Sequence, residues 1–223
     1  MLFTKKEFLP IFLIILAFIV GFYLYPQLPE KIPSHWNAKG EIDSWSNRNF
    51  GVLFFPGITL AVYLFMLFIP LIDPLKKNYQ KFSIPYYWFR VIFVVFFVSL
   101  YFYTLYAALG TNFNINYFII PAISILFVVL GIFMPKIKKN YFVGIRTPWT
   151  LHSEEVWNVT HKFSGKIFIT AGLISCLGLF FSEYTFLIVM AAILSAAFIS
   201  VIYSYFAFKK IEGLNNKVEN KNN

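Results

Sequence analysis

Three histidines, His35, His152 and His161, are the side chains best suited to proton transfer or metal ligation in this chain. His35 stands close in sequence to Glu41 and Asp43, a set that can be drawn as a metal site or as a general base oriented by a carboxylate. Ser153, Glu154 and His161 supply the residue types of a serine nucleophile with its base and orienting acid. Arg146 beside Thr147 offers donors for a phosphate or carboxylate. The competing reading of Arg146 is a lipid-facing arginine next to Lys136, Lys138 and Lys139. Trp157 and His161, four residues apart, are placed to stack if their segment is helical.

Most of these residues fall in the stretch 140–172, the longest run of polar and special residues in an otherwise apolar chain. Gly144 permits unusual backbone angles, and Pro148 pushes Thr147 out of the helical region, so the first half reads as an irregular loop. Ser153 is a suitable N-cap, with Glu154 and Glu155 at the positive end of the helix dipole, so the second half starts a helix. On that helix Trp157, His161, Gly165, Phe168 and Gly172 share one face. Gly165 and Gly172 suit close contact with another helix. The same geometry excludes the triad, because Ser153 and His161 lie roughly 12 Å apart along one helix.

Composition decides what surrounds these elements. Of the 223 residues, 59% are hydrophobic and only 13% are charged, about half the share of a soluble domain. The chain reads as an all-α, polytopic integral membrane protein. Six apolar segments near the span length of about 20 residues cover 8–25, 51–72, 86–109, 117–134, 167–182 and 185–208. The first lacks a small-x-small cleavage site and reads as a retained anchor. The organisation expected is a front region 1–72, helices three and four in 73–135, a motif loop with helices five and six in 136–210, and a polar tail in 211–223 that frays over 215–223. Pro56, Pro70 and Pro121 are placed near helix ends, where a missing donor matters least.

Charge sets the expected orientation. Of 19 Lys and Arg, all but Lys31, Lys39 and Arg48 lie on one side, which places both termini in the cytoplasm of a cell membrane. His35 is then on the opposite side from His152 and His161, and the three share no metal. The basic residues flank apolar segments, which fits membrane topology and lipid contact rather than nucleic acid. The lone Cys176 excludes an internal disulfide and a cysteine-based zinc cage. Arg90, one turn into the third span, is expected to snorkel to phosphates. No Asp, Glu, Lys or His is expected at a midplane, which counts against an ion-coupled transporter or proton pump. Neither catalysis nor a cofactor is expected.

The outward stretch 26–50 is stiffened by Pro29 and Pro33 and turns at 37–40. Trp36 and Trp45 carry rings that settle at headgroup level. Its charges cancel, Lys31, Lys39 and Arg48 against Glu30, Glu41 and Asp43.

These two polar stretches carry a resemblance to the SdpI-type membrane immunity proteins of Gram-positive bacteria. The first matches the front motif LP-x-x-IP-x-H-[FW]-N-x-x-G-x-x-D, of a domain of unknown function, at Leu28, Pro29, Ile32, Pro33, His35, Trp36, Asn37, Gly40 and Asp43. The second matches N-x-x-x-G-I-R-T-P-W-T-L…S-x-x-x-W-x-x-x-H-x-x-x-G at Asn140, Gly144, Ile145, Arg146, Thr147, Pro148, Trp149, Thr150, Leu151, Ser153, Trp157, His161 and Gly165. The resemblance implies protection of a producer cell against its own secreted, hydrophobic peptide toxin. It also implies, as the alternative, a toxin sensor that holds a transcriptional repressor at the membrane. A small-solute transporter or membrane enzyme is the third reading.

On this basis the outer residues expected to meet a toxin are His35, Trp36, Asn37, Asp43 and Trp45. Arg146, Trp149, Trp157 and His161 are expected to dock a cytoplasmic partner or to clasp the inner helix ends.

Overall fold

Backbone amides buried in hydrocarbon must be hydrogen-bonded within their own segment, so long apolar stretches fold as helices. The computed structural model describes residues 7–222 apart from 112 and 182, with side chains described as far as 213. Its helices are α1 Phe8–Leu24, α2 Arg48–Ile72, α3 Ser83–Ala108, α4 Asn116–Phe133, α5 Pro148–His152, α6 Glu154–Leu177 and α7 Thr185–Asn222. Apart from the short α5, each belongs to a segment long and apolar enough to cross a membrane, which gives six spans and a polytopic membrane protein. Lys5, Lys6 and Asn223 lie outside the described residues.

Helix ends differ from expectation in two places. The helix of the fifth span starts at Glu154, after the N-cap expected at Ser153, but ends at Leu177 rather than near 182, followed by a 3-10 turn Gly178–Phe180. The last helix runs through Asn222, so the tail expected to fray continues α7.

The spans pack as two three-helix groups, α1 with α2 and α3, and α4 with α6 and α7, linked where α3 meets α4. The first group closes over Ile14, Ala17, Val52, Tyr63, Val94 and Tyr101. In the second, α4 and α6 meet backbone to backbone. A methyl on Gly165 would stand 2.7 Å from the Gly131 carbonyl oxygen, and one on Gly172 would stand 2.6 Å from that of Ser124. Small residues at these positions let two helices approach closely in a bilayer, where association depends on van der Waals packing.

Pro56 and Pro70 lie inside α2, about two turns from its start and within a turn of its end. Each lacks the N–H that would bond the carbonyl four residues back, at Val52 and Met66. The Tyr101 hydroxyl of α3 donates to the Val52 oxygen at 3.1 Å, and the Tyr86 hydroxyl donates to that of Met66. Two tyrosines of α3 therefore satisfy both carbonyls that the prolines of α2 release.

The all-α reading holds for the spans, but the 26–50 loop contains an antiparallel hairpin of β1 (Lys31–Trp36) and β2 (Ile42–Asn47). The Asn37 amide oxygen accepts from the backbone N–H groups of Lys39 and Glu41 at 2.9 and 3.1 Å, while Gly40 takes φ +80°. These contacts close the turn with local side-chain chemistry. Ile32, fully buried, plugs the hairpin into the space left by Gly51 of α2.

Candidate functional site

At the hairpin end, side chains that carry chemistry surround a cavity of about 510 Å³. Ser34, His35, Trp36, Asn37 and Ala38 border it from the hairpin, with Asn116 adding an amide. Its apolar walls come from Phe55 of α2, Leu100 of α3, Ile119 and Ile123 of α4, and Met190 and Ile193 of α7. The volume lies within the range of small-ligand sites, and a few polar groups over apolar walls is their usual make-up. The cavity sits between the two helix groups.

The hairpin is held over this space by three anchors. The Trp36 ring packs on Tyr103 of α3 at 5.9 Å between centroids. Asn114, just before α4, donates to the Lys39 carbonyl at 2.9 Å. Arg48 donates to the Leu28 carbonyl at 2.8 Å and lies over the Tyr25 ring. His35 Nδ1 lies 2.6 Å from Asp43 Oδ1, so the two candidates from opposite strands form one exposed pair. Glu41 is drawn away from them, accepting from the Asn37 amide at 3.0 Å. Among the described residues no group of three His, Cys, Asp or Glu side chains is placed to hold a metal. Trp45 lies opposite Pro33 in the hairpin, is 52% exposed and does not line the cavity.

The other candidates lie at the opposite end, where they form a clasp. Gly144 adopts φ +106°, and a methyl there would crowd the Trp157 and His161 rings. The two rings stack at 4.1 Å between centroids. His161 Nε2 accepts from the Ile145 N–H at 3.0 Å, which requires its lone pair, so Nδ1 carries the proton and donates to the Trp157 carbonyl at 2.8 Å. Trp157 Nε1 donates to the Ile137 carbonyl at 2.8 Å. Both side chains are 0% exposed, so neither offers a surface to a partner. Thr147 and Thr150 cap α5 reciprocally, and the Thr147 hydroxyl lies 3.0 Å from that of Ser204 on α7. Ser153 caps α6 by accepting from the Val156 N–H. Trp149 packs on Tyr205, and Arg146 is exposed, donating to the Tyr141 carbonyl at 2.8 Å.

Two buried polar clusters went unread in the sequence. Asp73, after α2, accepts from the Tyr141 N–H and the Tyr79 hydroxyl, both at 2.9 Å. Asn140, 0% exposed, accepts from the N–H groups of Phe142 and Val143. Together they tie the α2–α3 connection to the motif loop. The second cluster corrects the snorkelling reading of Arg90. Arg90 is 6% exposed, and its Nη2 lies 2.8 Å from Oε1 of Glu7, whose Oε2 accepts from the Tyr63 hydroxyl at 2.6 Å. The available signal was a lone acid at the mouth of the first span and a lone base inside the third.

A model described as the SdpI/YfhL protein family matches residues 136–204, and one described as a domain of unknown function (DUF1648) matches residues 12–60. The immunity protein SdpI of Bacillus subtilis (strain 168) is 30% identical over 210 residues, 94% of this chain and 99% of that protein. The chain belongs to the SdpI family. No solved structure matches it. The two segments matched by these models meet at the cavity: the first supplies the hairpin and Phe55, the second supplies Met190 and Ile193. The clasp at the opposite end lies in the second segment, apart from its ties to Asp73, Asn78, Tyr79 and Tyr205.

Proposed function

We propose that the chain is a membrane immunity protein that protects its cell against a hydrophobic peptide toxin by binding it at the membrane. The observation that carries the reading is the cavity at the hairpin end, bordered by both family segments and by His35, Trp36 and Asn37. The relative's role as an immunity protein supports the protective function. The asymmetry of Lys and Arg supports a hairpin facing outward with both termini in the cytoplasm, the side on which a secreted toxin arrives being the hairpin's.

Expression in a toxin-sensitive host tests this. Survival of cells challenged with the cognate secreted peptide is expected to rise when the chain is in the membrane. Unchanged killing at a membrane level matched to a protective relative would dismiss the reading.

A further inference from the structure

Ser34, His35 and Trp36 of β1 border the cavity together with Asn37 and Ala38 of the turn, and no β2 residue joins them. A sheet face turned to the cavity would present residues of both strands; with β1 alone there, the hairpin borders the space by its β1 side, where the pairing is bulged between Pro33 and Trp36. β1 pairs with β2 on its other flank, and the sheet has only these two strands among the described residues. The flank toward the cavity is therefore an open edge, where backbone N–H and C=O groups are a template for another strand.

Charge narrows the occupant. No Lys or Arg lines the cavity, so an anionic lipid headgroup finds no ion-pair partner there. The six charges of the 26–50 loop cancel, so no net field selects an acidic or basic ligand. An apolar space beneath a free strand edge suits a neutral chain that is extended, with every second side chain apolar.

We infer that the chain captures an extended apolar peptide by strand addition to the β1 edge, with the peptide's alternate side chains seated against Ile119, Ile123, Met190 and Ile193. The inference rests on the immunity reading for the peptide's identity as a toxin, but not for its binding mode. The Trp36–Tyr103 contact and the Asn114–Lys39 bond hold the edge in place, so the protein is preorganised for its ligand.

The full chain in neutral phosphatidylcholine nanodiscs provides the test. The probe is a synthetic octapeptide of alternating threonine and leucine with a benzophenone side chain replacing one leucine. Light-induced cross-links are expected on the α4 and α7 walls of the cavity. N-methylating the peptide's alternate amides on the pairing edge is expected to lower labelling about tenfold, the effect of losing one or two hydrogen bonds. Ile123→Trp, which fills the space, is expected to do the same, and the N-methylated peptide serves as a control that leaves the protein untouched. Labelling unchanged by N-methylation would overturn strand addition. A benzophenone-bearing single-chain lipid that labels these walls while the peptide does not would overturn the occupant. Cell protection is scored separately. Wild-type chain that is labelled but does not protect defeats the immunity reading and leaves the site, whereas protection untouched by Ile123→Trp defeats the site and leaves that reading.

Discussion

The Tyr101 hydroxyl of α3 donates at 3.1 Å to the carbonyl of Val52, the group that Pro56 leaves without its helical donor. Gly21 of α1 leaves the room that this hydroxyl occupies. An unsatisfied carbonyl in an apolar interior costs about 1–3 kcal/mol, so Tyr101→Phe is expected to destabilise the chain by that order in a detergent unfolding titration. Restoring the helical donor with Pro56→Ala makes the tyrosine redundant. The expected result is a cost of Tyr101→Phe at least halved in the Pro56→Ala background. An equal cost in both backgrounds would show that the hydroxyl does not serve the carbonyl.

Gly165 and Gly131 face each other where α4 and α6 touch. A methyl at Gly165 meets the Gly131 carbonyl oxygen at 2.7 Å and Pro135 at 3.0 Å, and the first of these is backbone that cannot swing aside. Gly165→Ala is expected to separate the helices and cost about 1–3 kcal/mol, as overpacked positions do. Gly57 of α2, where an added methyl would meet nothing within 4 Å, is the control. Gly57→Ala should be neutral or stabilising by up to about 1 kcal/mol. Thermal unfolding of the purified variants decides between them.

The stacked Trp157 and His161 hold the 137–145 loop against α6 through two bonds, from the Ile145 N–H to His161 and from Trp157 to the Ile137 carbonyl, while His161 is itself oriented by the Trp157 carbonyl. His161→Ala removes the acceptor of the Ile145 N–H and opens space beneath Gly144. Trypsin is then expected to cleave at Lys138, Lys139 or Arg146 several times faster in membrane fragments whose two faces are both open to the protease. Trp157→Phe keeps a ring in place but loses the bond to the Ile137 carbonyl, and it should fall between wild type and His161→Ala. Equal cleavage rates for all three proteins would mean that the clasp does not restrain the loop.

His35 and Asp43 are exposed and paired at 2.6 Å, so their contact contributes under about 1 kcal/mol to stability. Asp43→Asn is expected to leave thermal unfolding unchanged while lowering protection against the toxin. That separation of effects distinguishes a recognition role from a structural one. Protection equal to wild type would remove the pair from the site.

How much of this was legible follows from the range over which each signal acts. Spans were readable because hydropathy is a property of consecutive residues, and the helix start at Ser153 was readable because capping is local. The face shared by Trp157, His161, Gly165 and Gly172 followed from helical period alone. The hairpin was missed as strands because Pro33 and a run of polar residues mask the alternation, and because its stability comes from Ile32 seated against Gly51 and Trp36 against Tyr103. The tyrosine partners of Val52 and Met66 join residues about fifty and twenty positions apart, and no single-sequence period relates them. The α4 and α7 walls of the cavity were invisible for the same reason. Ile119 and Met190 look like any lipid-facing residue until the fold brings them under the hairpin.

Glu7 and Arg90 show what such a long-range pairing does to a simple reading. Alone, Arg90 in an apolar helix has to reach the headgroups, and Glu7 is one more acid at a helix entrance. Together Arg90 and Glu7 are 6% and 4% exposed, with Tyr63 completing the carboxylate and the Tyr86 ring 5.3 Å from the guanidinium. Removing one partner strands the other in a medium that solvates it poorly, so Arg90→Leu is expected to cost about 3–5 kcal/mol. Removing both also removes the desolvation penalty of each charge. Glu7→Leu with Arg90→Leu should therefore recover most of that loss, ending within about 1–2 kcal/mol of wild type. Unfolding titrations of the two singles and the double give the coupling directly. Additive losses would mean that the two charges are solvated separately, and that the pair does not hold α1 to α3.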